Sequence, residues 1–544
     1  MPRRSAALSI LTLLLFPIST IAQDAAAHVR SGMLTPAATV NPFHQPVSQA
    51  LSSAAQSRPK GARPIHPAHS TFAAVSQVPE AIATPFGANT SGELVRNFNG
   101  VSSLDSAVTN FGGEFEPPDQ GLCVGNGFVV EPVNSAFTIY RRNGSVVAGP
   151  FNVNVLFAEG LTEFTSDPRC YYDGSTNTWF ATILFIAADN RSARTDVAVN
   201  TSGDPTTPWT VFHLDATDDG TNGTPRDPGC PCLGDQPLLG IDHENLYIST
   251  NEFSILGPEF NGAQIYALSK SDLIHNRPVH FAHFGNLTIG GSIAASVQPA
   301  INNGEAPAEY FLNSLDPTGT TDNRIGVWAM TRRAEVSAGG TPTLSSLVLA
   351  TETYGFPPNA VQKGSTSLLT TDDDRMQQVQ FIDGDLWGAL TSVLTPAKDT
   401  TARAEIAWFK VHPHLFGDVI GAADLPAQGY VAAFGNYLFY PAIQASEEGT
   451  VAMVMTLSGA TFYPSAAYTI LSGERDSFGR IKVAAAGTGP YNPRATRWGD
   501  YSAAVIDPNG KSFWLATEYI PPVTSQTLDG RRNWGTRVLQ SSIE

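Results

Sequence analysis

The chain has 544 residues, 42% of them hydrophobic and 15% charged, and a formal net charge of −17. That balance can bury a large core and excludes a disordered polyelectrolyte. The acidic surplus repels phosphate backbones, which argues against nucleic acid as a partner and leaves cationic ligands or metal ions acceptable.

The first residues read as a secretory signal over 1–22. Arg3 and Arg4 supply the positive end, residues 6–18 the apolar stretch, and Thr20-Ile21-Ala22 a small-residue cleavage site. The apolar stretch is too short to span a bilayer, and no later run has the length of a membrane helix. The expected location is therefore secreted or periplasmic, with no membrane span. Residues 23–92 are rich in Ala, Pro, Ser, Thr and His without an apolar period, and read as a flexible leader. Residues 1–92 carry a net +4, which leaves −21 on residues 93–544.

From residue 93 onward one plan recurs seven times. Each repeat opens on a short polar signature: Pro118-Asp119-Gln120, Ser166-Asp167-Pro168-Arg169, Gly234-Asp235-Gln236-Pro237, Val297-Gln298-Pro299, Asp373-Asp374-Arg375, Phe439-Tyr440-Pro441 and Gly499-Asp500-Tyr501. Five of the seven contain Asp. A second run follows each opening, at 128–134, 178–185, 245–253, 309–316, 385–393, 449–457 and 512–519. These runs are rich in aromatic and β-branched residues, and several follow turn pairs such as Asn126-Gly127 and Asp383-Gly384. Third runs come next, and a fourth is clear in three repeats. Four-stranded units at this spacing are the signature of β-propeller blades, because one such sheet cannot bury both faces alone. The predicted fold is all-β: a single propeller of seven four-stranded blades over 93–544, expected to be monomeric. The last repeat ends without a fourth strand, and residues 93–101 form a strand-like piece with no repeat of their own. They are expected to supply the missing outer strand and close the last blade.

Asp167-Pro168-Arg169 with Tyr172-Asp173 and Trp179-Phe180, the opening at 234–242, and Arg497-Trp498-Gly499-Asp500-Tyr501 resemble motifs of secreted bacterial propeller proteins of largely unassigned function, distantly similar to sialidase-type propellers. Sialidases carry turns of the form Ser-x-Asp-x-Gly-x-Thr-Trp, to which 507–514 and 173–179 are loose approximations. No pattern places an arginine triad or a Tyr/Glu nucleophile pair, so the resemblance does not extend to sialidase activity.

In a propeller the openings converge on one mouth of the central channel. The candidate ligand-binding residues are therefore Asp119, Gln120, Asp167, Arg169, Asp235, Gln236, Asp374, Arg375, Arg497, Asp500 and Tyr501. Clustered carboxylates suit a metal ion or general acid/base work, yet an Asp at a blade opening also commonly fixes a turn by accepting backbone N–H bonds. A separate loop holding Asp215, Asp218, Asp219, Asn222 and Asp227 has the oxygen density for a hard cation such as calcium, without the spacing of an EF-hand. No nucleophile elbow, phosphate-binding loop or dinucleotide fingerprint is present. The functional expectation is an exported propeller that binds a carbohydrate or peptide at its channel mouth without turnover. The alternatives are a glycoside hydrolase or lyase using rim carboxylates, and a structural cell-surface scaffold. Cys123, Cys170, Cys230 and Cys232 suggest two disulfides in an oxidising compartment. A Cys230–Cys232 bond would close a small ring through Pro231, so cross-pairing of Cys123 and Cys170 with that pair is expected.

Overall fold

A computed structural model describes residues 26–42, 78–87, 93–113, 115–302, 304–315, 321–473, 477–491, 497–522 and 533–543. The signal segment 1–22 and most of the leader lie outside the described residues. No helix among them is long and apolar enough to cross a membrane.

The fold is an all-β propeller. The hydrogen-bonded ladders group, among the described residues, into seven consecutive four-stranded antiparallel units, here called blades 1 to 7. Their innermost strands are Cys123–Gly125, Phe164–Asp173, Cys232–Ile241, Gln298–Asn302, Met376–Ile382, Asn436–Ala445 and Ala503–Ile506. These seven strands touch one another in that order, and the last touches the first. The second strands carry the densest apolar runs: Thr178–Ile186, Val451–Gly459 and Ser512–Tyr519 are buried at every position, because neighbouring blades cover both faces. Trp179, Trp328, Trp408 and Trp514 are fully buried in this way. The Asn126-Gly127 and Asp383-Gly384 pairs both adopt left-handed conformations, as the tight hairpins require.

The last blade draws its outer strand from the front of the chain. Leu94–Ser102 pairs antiparallel with Gly535–Ser542, from Ser102 opposite Gly535 to Leu94 opposite Ser541, with a register shift near each end. Glu131 of blade 1 accepts the Val101 N–H at 2.9 Å. Gly100 leaves room for that carboxylate, since a Cβ there would collide with Glu131 and Thr536. The strand thus ties the last blade to the first.

Two expectations need correction. The segment read as a flexible leader is in part regular strand. His28–Leu34 adds a fifth strand to blade 3 against Val279–Gly285, and Pro36–Val40 adds one to blade 2 against Trp209–Asp215. Glu80–Ala81 runs parallel to residues of blade 5, and Phe86 bridges to Ile481. An outer blade edge offers unpaired N–H and C=O groups to any extended segment, so pairing there needs no apolar period.

The disulfides are also not cross-paired. Cys123 bonds Cys170, with Cα atoms 5.5 Å apart, because the innermost strands of blades 1 and 2 lie side by side. Cys230 bonds Cys232, and the turn at Pro231 brings their Cα atoms to 4.4 Å, at the short end of the usual range.

Deleting 93–103 should expose a full sheet edge and lower Tm by on the order of 10 °C or more in a calorimetric scan. Deleting 23–80 removes, among the described residues, strands added to blades that are already complete, and should cost less. The Cys123–Cys170 bond closes a separation of 47 residues. Replacing both cysteines with Ala should therefore cost about 4 kcal/mol in denaturant unfolding, whereas the same change at Cys230 and Cys232 should cost clearly less.

Candidate site at the channel mouth

The blade openings share a backbone feature that their side chains disguise. In blades 2, 3 and 6 the innermost strand carries a two-residue bulge at Asp167-Pro168, Gln236-Pro237 and Tyr440-Pro441. The first residue of each is left-handed, with φ of 58°, 50° and 54°. Proline fits the second position because a bulged residue has no ladder bond to donate. Asp119 and Asp372 are left-handed at the openings of blades 1 and 5. The repeated element is therefore a conformation, which Asp, Gln and Tyr all supply.

Six of the candidate residues meet at the mouth. Asp119, buried, accepts the Asp500 N–H at 3.0 Å through one oxygen and Asn134 Nδ2 at 2.7 Å through the other. Asn134 Oδ1 in turn accepts the Asp167 N–H at 2.9 Å. Carboxylate oxygens of Asp119, Asp167 and Asp500 lie within 4.8 Å of one another. The Arg497 guanidinium pairs with Asp500, and Arg169 lies 3.3 Å from the centre of the Tyr501 ring. The Tyr501 hydroxyl donates to Pro168 O at 3.3 Å, which joins blade 7 to blade 2. Burial, then the charges of Asp500 and Asp167, push the Asp119 carboxyl well above the usual carboxylate range. Asp500, first among its neighbours, holds Arg497 firmly protonated.

A second group faces the first. Arg375 forks onto Asp373 at 2.6 and 2.7 Å, approaches Asp372 at 3.3 Å, and donates to Gln236 Oε1. Burial opposes the charge on Arg375, but Asp373 and Asp372 outweigh it, and Asp500 adds to their effect. Beside Arg169, Leu122, Gln298, Gln377 and Ala504 of the blade openings and innermost strands line one cavity. Gln378 crosses it, donating to Ile443 O at 3.0 Å and Ala504 O at 2.7 Å.

Three candidates stand apart. Asp235 sits in the blade 3 ladder opposite Asn251. Asp374 is buried, and its charge acts on the Tyr354 hydroxyl of blade 4. Gln120 is buried with no hydrogen bond at either end among the described residues. The sequence reading passed over Asn134, which couples blades 1 and 2, and Asp372, which shares Arg375. Asp372 directly precedes the opening Asp373-Asp374-Arg375, whereas Asn134 has no signal beyond its place at the end of a strand.

The acidic loop divides. Asp219 accepts from Thr221 N and Oγ1, and Asn222 donates to Asp215, so these three build an exposed turn. Asp218 and Asp227 are buried.

The mouth trio is closer than the about 6.5–9.5 Å of an inverting carboxyl pair and near the about 5–5.5 Å of a retaining one. Both oxygens of Asp119 are, however, occupied, one by the Asp500 N–H of blade 7 and the other by Asn134. The more accessible groups are Arg497, Asp500, Asp372 and Arg375, with side chains 38%, 19%, 21% and 12% exposed. They alternate in charge, which suits recognition of a polar ligand carrying several hydroxyl or carboxyl groups. Replacing Asp119 with Ala should leave the Asp500 N–H unpaired and the Asn134 amide with only its bond to Pro117 O, and destabilise the protein by about 2–4 kcal/mol in denaturant unfolding. Arg497→Ala, at a more exposed side chain, should cost less than about 1 kcal/mol.

No family model and no curated protein matches the chain. Among solved structures it is similar to the endosialidase of phage phi92, at 9% identity and a TM-score of 0.38 over 84% of this chain and 69% of that one. It is similar to the propeller of Dos1, at 9% identity and a TM-score of 0.34 over 83% and 95%. A third likeness is to Trypanosoma rangeli sialidase in complex with the inhibitor DANA, at 9% identity and a TM-score of 0.33 over 78% and 58%.

Proposed function

We propose that this protein is an exported propeller that binds a carbohydrate at its channel mouth without turning it over. The observation that carries this reading is the ring of alternating charges formed by Arg497, Asp500, Asp372 and Arg375, together with the cavity that Gln378 crosses. Vicinal hydroxyls of a sugar both donate and accept, so they pair with carboxylate and guanidinium groups set side by side. Turnover would need one carboxyl free to attack or to accept a proton. Asp119 is spent on Asn134 and the Asp500 backbone, and Asp500 is held by Arg497. Two disulfides accord with an oxidising compartment outside the cytosol.

The test is a panel of neutral and acidic oligosaccharides, read by titration calorimetry together with an assay for newly released reducing ends. Wild-type protein should bind at least one class and release none. Arg497→Ala should weaken that binding by about tenfold or more with Tm nearly unchanged. Release of reducing ends would establish the hydrolase instead, and failure to bind any member would leave the scaffold reading.

A further inference from the structure

The connection from the outer strand of blade 2 to the innermost strand of blade 3 folds back on itself. Gly220 N–H donates to Pro225 O at 2.7 Å and Asp227 N–H to Asp218 O at 2.8 Å. This turns Asp218 and Asp227 away from solvent, to 0% and 9% exposure. There they meet Glu252 of the second strand of blade 3, itself 1% exposed, and carboxylate oxygens of the three lie within 4.8 Å of one another. No N–H or hydroxyl donor reaches either oxygen of Asp218, Asp227 Oδ2 or Glu252 Oε2, and Asp218 and Glu252 meet each other directly. Glu252 Oε1 accepts from Asn261 Nδ2 at 2.7 Å.

A fourth oxygen belongs to the same place. The Tyr266 hydroxyl is fully buried and has no hydrogen-bond partner. Burial, then the Asp218 carboxylate, oppose its ionisation, Arg30 works against them and Glu252 adds to them, so the hydroxyl lies within electrostatic reach of the acids. Its ring is fixed by stacking on His283, with centroids 4.1 Å apart and planes 4° from parallel. The nearby cations do not neutralise the cluster. Arg30 is directed to His283 Nδ1 at 3.0 Å and Gly223 O at 3.2 Å, and His28 stands 3.6 Å from Asp227. Three carboxylates buried together cannot all stay ionised without a compensating charge.

We propose that Asp218, Asp227, Glu252 and the Tyr266 hydroxyl form a binding site for a hard divalent cation of the calcium class. The donors are all oxygen, and three carboxylates against a doubly charged ion is a common calcium balance. The nearest sulfurs, Cys230 and Cys232, are joined to each other and cannot serve as thiolates, which turns the site away from zinc. The ligands come from the connecting loop and from blade 3, so the ion pins the loop to the blade next to the added strand His28–Leu34.

Full-length protein stripped with a chelator and dialysed against calcium chloride should retain one equivalent of calcium by elemental analysis, and its Tm should rise. Glu252→Gln and Asp218→Asn should each abolish the retention and the Tm rise. Asp167→Asn, at the channel mouth, should keep both. In chelator Glu252→Gln should melt no lower than wild type, since a neutral amide replaces an acid that burial already disfavours as a charge. Should it fail to fold, Tyr266→Phe, which keeps every carboxylate, should still show weakened retention. Wild-type protein that takes up no calcium, calcium retained by both acid variants, or retention lost in Asp167→Asn and kept in Glu252→Gln would each overturn the proposal.

Discussion

A four-stranded sheet has two faces to bury and two edges to protect, and a ring of such sheets settles both only if it closes. Everything else here depends on that closure. It is made at the outer rim by pairing Leu94–Ser102 with Gly535–Ser542, and at the mouth by Asp119 accepting the Asp500 N–H. The consequence for function is that closure and site compete for the same residues. Asp119 sits where a catalytic carboxylate would be looked for, yet one of its oxygens holds the blade 7 backbone and the other holds Asn134, which links blade 1 to blade 2. What remains for a ligand is the more exposed ring of charges around it.

The sequence made the repeat legible because the second and third strands are buried on both faces, and burial of that kind requires long β-branched and aromatic runs. The latch was legible for a related reason: a repeat lacking its last strand sat at one end of the chain and a strand without a repeat at the other. The openings were readable in place but not in kind. Asp167, Gln236 and Tyr440 share one left-handed backbone conformation ahead of a proline, and a conformation that three unlike side chains adopt leaves no single-letter signature. The strands at 28–40 were hidden because an edge addition is held by backbone bonds alone, so its composition is free. The disulfides were misread because the side-by-side packing of adjacent innermost strands, which brings Cys123 to Cys170, is a property of the ring and not of the spacing.

Buried glutamates show most clearly how context divides one residue type between structure and chemistry. Glu131, Glu309, Glu405 and Glu518 are all fully or almost fully buried. Each accepts one backbone N–H, from Val101, Ala300, Ala433 and Gly499 respectively, at 2.6 to 3.0 Å. Burial raises all four carboxyls, Glu131 to about 7 and the others well above their usual range. They thus behave as largely neutral hydrogen-bonding groups that stitch one segment to the next, and a neutral acid in that role needs no counter-ion. Glu252 is buried as deeply, but the donor it meets is a side-chain amide, and its remaining oxygen faces Asp218 and Asp227. A single buried acid can be satisfied by taking up a proton and a backbone bond. Three that converge, with a tyrosine hydroxyl within electrostatic reach, cannot all be satisfied that way, because each shared proton bonds only two of the oxygens. A cation placed among them bonds several at once. The same physics that makes four glutamates into fasteners therefore makes the fifth part of a site.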